Sequence, residues 1–412
     1  MRRLFCLVFM MSVPVLSYAA VRVPPLVNPQ EYNSENELDM LQNFFHSDRI
    51  WSWLQAENGF RITGGSLNIR HIYHDRFMKI RYPLIARRLW FRYRHRMRER
   101  IDVQDQSNEI HIEYSPFDNW YCSLIGDPSY EKYDIDIGWS VRYGLNEAQS
   151  ITLGYMLIDF DNNYAFHDAS VNEGFERFYR TNPTEWRVKL VQRATPVSLW
   201  IEGLYQRTWT REYYDLNNTQ NNYVLLGGRY EVEGELRYDR SPSLIFAVDF
   251  LSQYRRQAQW FIVPRSSEDH LLWEKRSFVH PKLIYRWYPL TEVECGLRFV
   301  INEGEDMYPA QPVDTLRFKN TNTIPFINSI TPLGTHTSVE LGYMYATIDE
   351  DRYENLVPRT ELNIDNRIRL GIIIDFNQNT HLKIITGWDL DDEDVDRFQI
   401  FDGGFIQFQT AL

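Results

Sequence analysis

The chain has 412 residues, with 44 Lys+Arg against 56 Asp+Glu and a formal net charge of −12. That balance argues against nucleic acid as a partner, because such partners need a basic surface. Aromatic residues make up 15% of the chain, a high share, and beyond residue 20 no apolar run approaches the roughly 18 residues of a membrane helix.

Residues 1–19 read as a secretory signal peptide. Arg2 and Arg3 form a basic start, Leu4 to Leu16 a short apolar core, and Ser17 and Ala19 a small-residue cleavage signal. Only Cys122 and Cys295 lie beyond this segment. An exported protein can join such a pair; two separate thiols are the preferred expectation. Neither cysteine belongs to a haem-attachment motif, and no cofactor is expected.

Residues 20–59 read as an N-terminal segment that stays periplasmic or enters a lumen. Ser34-Glu-Asn-Glu37 is a capping box, followed by Leu38, Leu41 and Phe45 at helical spacing. A short helix is expected over 35–45.

From Phe60 to the end, the period changes to two. Ile135, Ile137, Trp139, Val141 and Tyr143 alternate with Asp136, Gly138, Ser140 and Arg142. Tyr230, Val232, Leu236 and Tyr238 alternate with Glu231, Glu233, Glu235 and Arg237. Val293, Cys295, Leu297 and Phe299 alternate with Glu292, Glu294, Gly296 and Arg298. Each pattern predicts a strand with one apolar and one polar face.

The connections alternate in length. Short ones lie at 115–119, 143–149, 193–196, 239–243, 288–291, 331–335 and 376–380. Long polar ones are expected at 161–183, 211–221, 256–275, 303–314 and 349–363. Short turns on one side and long loops on the other are the pattern of an outer-membrane barrel. Counting the segments predicts an all-β, transmembrane antiparallel barrel over 60–412, with 18 strands and 16 as the fallback.

In its export signal, aromatic content and alternating loop lengths, the chain resembles Gram-negative outer-membrane β-barrels of the porin type. The resemblance is architectural, over about residues 60–412, and no specific motif accompanies it. It implies an outer-membrane location, lipid around the barrel and the barrel assembly machinery as a partner. A homotrimer or an exported protein partner is also compatible. The chain departs from these barrels in ending on Leu412, where they usually end on an aromatic residue.

The stretch Trp90 to Ile101 places Arg92, Arg94, Arg96 and Arg98 on one strand face. Lipid-facing arginine costs about 2–4 kcal/mol at the membrane midplane, so the row is expected to face the lumen. His95 then falls on the lipid face. The next strand carries Glu109, His111 and Glu113 on one face, and Asp134 and Asp136 follow. Together these nine residues are the candidate lumen constriction, where charge rings set ion selectivity. Ion pairs that only brace the wall are the other expectation for them. Asp389, Asp391, Asp392 and Asp394 form a weaker calcium candidate, since the loop lacks the glycine and closing glutamate of an EF-hand; a solvated acidic loop is preferred.

The functional expectation is a channel for passive or weakly selective diffusion of small hydrophilic solutes or ions. The alternative is a non-conducting scaffold around an exported partner such as a multihaem cytochrome. No local motif selects catalytic residues, and no enzyme activity is expected.

Overall fold

The computed structural model describes residues 58–67, 71–85, 88–99, 104–127, 135–146, 149–160, 175–194, 196–215, 217–219, 222–262, 269–287, 291–308, 315–354, 357–377, 379–390 and 401–411. The signal peptide, the expected helix over 35–45 and Asp134 lie outside these residues, as do Asp391, Asp392 and Asp394.

Among the described residues every regular element is a strand. In chain order they are β1 (Gly59–Leu67), β2 (His71–Ile85), β3 (Leu89–Glu99), β4 (Gln104–Tyr114), β5 (Trp120–Asp127), β6 (Asp136–Asn146), β7 (Gln149–Leu157), β8 (Phe175–Thr181), β9 (Thr184–Ala194) and β10 (Val197–Asp215). There follow β11 (Tyr223–Ser241), β12 (Leu244–Phe261), β13 (His270–Trp287), β14 (Thr291–Met307), β15 (Leu316–Pro332), β16 (Thr337–Glu354), β17 (Val357–Asn377), β18 (Thr380–Asp389) and β19 (Phe401–Ala411). All pairings are antiparallel. β1 closes the sheet by pairing with both β2 and β19, so that Thr63 lies between Asp75 and Gln407. A closed sheet satisfies its backbone groups without an edge, as a membrane requires.

The nineteen segments fill 18 positions. β8 and β9 both pair with β10 and are one crossing interrupted at Asn182 and Pro183. Pro183 has no N–H to give to the ladder. β10 answers with its own register shift between Gln206 and Trp209, opposite the break.

The outer face is apolar and open. Leu124, Leu153, Val188, Val232, Leu341 and Ile372 all point outward and are exposed. Aromatic rings frame this band. Tyr114, Trp120, Tyr238 and Tyr285 lie near the short-turn end; Trp186, Tyr230, Tyr343 and Trp388 lie farther along. Tyr230 and Tyr238 are eight residues apart on β11. At about 3.4 Å per residue and a tilt near 40°, that is a rise of about 21 Å, comparable with the ~25 Å lipid band of such barrels. On β19, Ile406, Phe408 and Thr410 stand in register with the outward Ile384, Leu382 and Thr380 of β18.

Several segments expected as long loops are strand. β10 runs to Asp215, β12 to Phe261 and β14 to Met307, while β16 and β17 fill most of 349–363. Beyond the lipid band, polar side chains occupy both faces, so the period-two signal disappears although the ladder continues. Lys275 bonds Glu303 at 3.0 Å and Arg317 bonds Glu305 at 2.6 Å on the outer surface of this extension.

The inner face is of two kinds. On β12 to β19 many inward residues are apolar and buried, among them Ile245, Ile284, Met344, Ile373 and Ile385. They are interleaved with buried polar residues such as Glu294, Arg298, Asn302, Asn322, Glu340 and Arg369, while the wall from β2 to β11 is more open and more charged, with Phe77 and Met156 among its buried apolar residues. Cys122 on β5 and Cys295 on β14 both face outward and are free thiols.

Candidate functional site in the barrel lumen

β3 pairs with β4 so that Arg92 faces His111 and Arg94 faces Glu109. This puts the arginine row and the Glu109–His111–Glu113 row on the same inner surface, as the alternation requires. On the lipid side, His95 Nδ1 lies 2.8 Å from Asn108 Oδ1, and the Tyr93 hydroxyl donates to the same oxygen at 3.0 Å.

Glu113 is the hub of the first cluster. Its Oε1 accepts from Arg81 at 2.7 Å and its Oε2 from Arg92 at 3.0 Å. Arg142 Nη2 lies 3.8 Å from the same Oε2. Each arginine is further placed by an aromatic wall or a register partner. The Arg81 guanidinium sits 4.7 Å over Trp90 and that of Arg142 sits 4.1 Å over Tyr121. Arg81 and Arg142 come from β2 and β6, and sequence spacing alone did not single them out. Register did: Arg81 is directly opposite Arg92.

Glu109 anchors the second cluster. Arg94 Nη1 is 3.6 Å from its Oε2, and His111 Nε2 is 3.4 Å from that oxygen. Arg187 Nη1 of β9 lies 3.7 Å from Glu109 Oε1. Three strands separate β4 from β9 in the wall, so this contact spans the lumen instead of following a ladder. Arg187 also bonds Glu185 at 2.5 Å, and Glu185 takes a second bond from Arg229 at 2.9 Å. Lys79 of β2 lies within electrostatic reach of Arg92, Arg94 and Lys189.

Glu113 is 2% exposed and Glu109 13%; Arg81 is 15% exposed, whereas Arg92 is 44% and Arg94 46% exposed. The two β3 guanidiniums are therefore the open members of the clusters, and the carboxylates and Arg81 the sealed ones.

The remaining expected residues are placed as follows. Arg96 and Arg98 continue the row in register opposite Phe77 and Asp75; their side chains lie outside the described part. Asp136 joins a different group. Its Oδ1 accepts from the backbone N–H of Asp159 at 2.7 Å, and the Tyr179 hydroxyl donates to Asp159 Oδ2 at 2.7 Å. Asn182 Nδ2 donates to the Asp159 carbonyl at 2.9 Å. These buried contacts tie the end of β7 to the break between β8 and β9. Asp389 ends β18. Among the described residues no group of three or more His, Cys, Asp or Glu is arranged to hold a metal ion.

A second buried group lies on β16 to β18. Glu340 of β16 pairs with Arg369 of β17, and its Oε2 lies 2.9 Å from Lys383 of β18. Alternation puts these residues on the inner face, but their convergence on one sealed carboxylate follows only from the register of the three strands.

No protein-family model matches the chain, and no curated protein matches it. Among solved structures it is similar to a loop-deletion mutant of OmpT, an outer membrane protein of Vibrio cholerae, at 10% identity over 86% of this chain and 97% of that one, with a TM-score of 0.38. It is similar to an anion-selective porin from Comamonas acidovorans at 9% identity over 86% and 98%, TM-score 0.35. It is also similar to the copper transporter OprC at 6% identity over 86% and 80%, TM-score 0.38. The chain's own register, with β1 paired to both β2 and β19, closes the barrel.

Proposed function

We propose that the chain is an outer-membrane channel for passive diffusion of small hydrophilic solutes or ions. The observation that carries this reading is the contrast between the two faces of the β2 to β11 wall: exposed apolar side chains outside, solvent-accessible charge inside. A barrel of 18 strands is of the size class that leaves an aqueous passage. The signal-like residues 1–19 direct export, and the short-turn end faces the periplasm, as in barrels of this architecture.

Planar-bilayer recording on the purified protein tests the proposal. Stepwise, ohmic single-channel currents are expected. A barrel whose fold is verified by heat-modifiable gel mobility, yet which gives no current, would overturn it.

A further inference from the structure

The β2–β3 ladder places like charges directly opposite each other. Arg81 faces Arg92, and two residues along Lys79 faces Arg94. Cross-strand partners stand about 5 Å apart at Cβ, and like charges in that position repel. The two rungs lie about 7 Å apart along the strands. The four cationic side chains therefore spring from the corners of a rectangle of roughly 5 by 7 Å at Cβ on the lumen wall.

Buried acids only partly offset them. The first rung has Glu113, which Arg142 also approaches at 3.8 Å. The second has Glu109, which Arg187 also approaches at 3.7 Å. In each case more cations converge on a carboxylate than it can neutralise. Arg92 and Arg94 are far more exposed than the carboxylates they contact, so the surplus positive charge is presented to the passage from β3. Lys189, on β9, lies within reach of Lys79 but is itself paired with Glu202 at 2.6 Å, so it contributes less to the surplus.

We propose that this ladder is a binding site for multiply charged oxyanions, bearing phosphate, sulfate or several carboxylate groups, and that it makes the passage prefer anions. Guanidinium forks bind such groups through paired, charge-assisted hydrogen bonds, and an oxyanion between the rungs relieves the repulsion across them. Carboxylate and phosphate solutes share this chemistry. The inward direction of the four side chains keeps the site away from lipid headgroups. The proposal deepens the channel reading and rests on it for the word "passage", but the binding site itself stands on the wall geometry.

The test uses the full-length folded protein, its Arg92→Gln and Arg94→Gln variants and a Lys189→Gln variant. The arginine variants are expected to fold, because Glu113 keeps Arg81 and Arg142, and Glu109 keeps Arg187 and His111. In a potassium chloride gradient the wild-type zero-current potential should have the sign of chloride preference. Inorganic phosphate, added at constant ionic strength, should reduce the chloride current saturably. The double variant Arg92→Gln/Arg94→Gln should lose at least threefold in permeability ratio and most of the phosphate block; Lys189→Gln should lose less of both. Currents that prefer cations, or that ignore phosphate in the wild type, would overturn the anion site and leave the channel intact. If no current flows, phosphate binding is read by calorimetry on the detergent-solubilised barrel: binding lost in the double variant supports the site although the channel reading falls, and no binding overturns both.

Discussion

Phe326 on β15 occupies the space that a side chain on Gly296 of β14 would need. A Cβ built on that glycine would come within 2.6 Å of the phenyl ring and 2.7 Å of the Pro281 carbonyl oxygen. The ring in turn lies 5.0 Å from the His280 imidazole. Glycine is thus required by close approach, not by an unusual backbone. Gly296→Val should slow folding and lower the temperature of the heat-modifiable transition, whereas Phe326→Leu, which frees the space, should be milder. Gel mobility against temperature for both variants checks the order; an indifferent Gly296→Val would refute the packing argument.

Glu113 is sealed and holds two arginines within 3.0 Å. Removing one partner of a buried ion cluster costs about 3–5 kcal/mol, because the charges left behind stay desolvated. Glu113→Gln should therefore reduce barrel stability in urea by an amount of that order, less whatever solvent reaches Arg92. Arg92→Gln should cost far less, since Glu113 retains two other partners. Urea titration followed by tryptophan fluorescence in lipid vesicles distinguishes the two variants.

Lipid contact predicts a depth profile. Leu341 faces outward in the apolar band and is 54% exposed. Leu341→Arg should destabilise by about 2–4 kcal/mol in a bilayer. Asp349, also outward on β16 but beyond the aromatic frame, should accept arginine with little effect. Equal costs at the two positions would mean that the band is not where lipid sits.

The two thiols give an independent reading of the same surface. Cys122 and Cys295 both face outward, and Cys122 is the more exposed. In vesicles, a charged, membrane-impermeant maleimide should label neither quickly, whereas a lipophilic one should label Cys122 first. In denaturant both should react with both reagents. Rapid labelling of Cys122 by the charged reagent would place β5 in water.

The alternation of apolar and polar residues made the barrel legible, because a one-residue slip in register would bring every side chain to the wrong face. It placed Arg92, Arg94, Glu109, His111 and Glu113 on one wall. It did not link Arg81, Arg142 or Arg187 to that row, since their relation to it depends on pairing offsets and on contact across the lumen. Strand ends were read short for a similar reason: along β17, Arg359, Thr360 and Glu361 alternate with nothing apolar, yet they pair in unbroken register with Arg352, Asp351 and Glu350. Asp136 looked like another lumen acid. Its oxygen is instead used by a backbone N–H at a chain reversal, a demand with no signature in local composition.

The length of those strands has a consequence for how a solute arrives. β17 has 21 residues. At about 3.3 Å per residue and 40° of tilt it rises over 50 Å, roughly twice the lipid band. On that side the rim therefore stands some 20 Å clear of the bilayer surface, whereas β5 and β7, with 8 and 9 residues, end close to it. Electrostatic fields decay over about 8 Å at physiological ionic strength, so charge on the lipid headgroups is almost extinguished at the top of β17 but still felt at the ends of β5 and β7. The rim is thus sheltered from membrane composition on one side and open to it on the other.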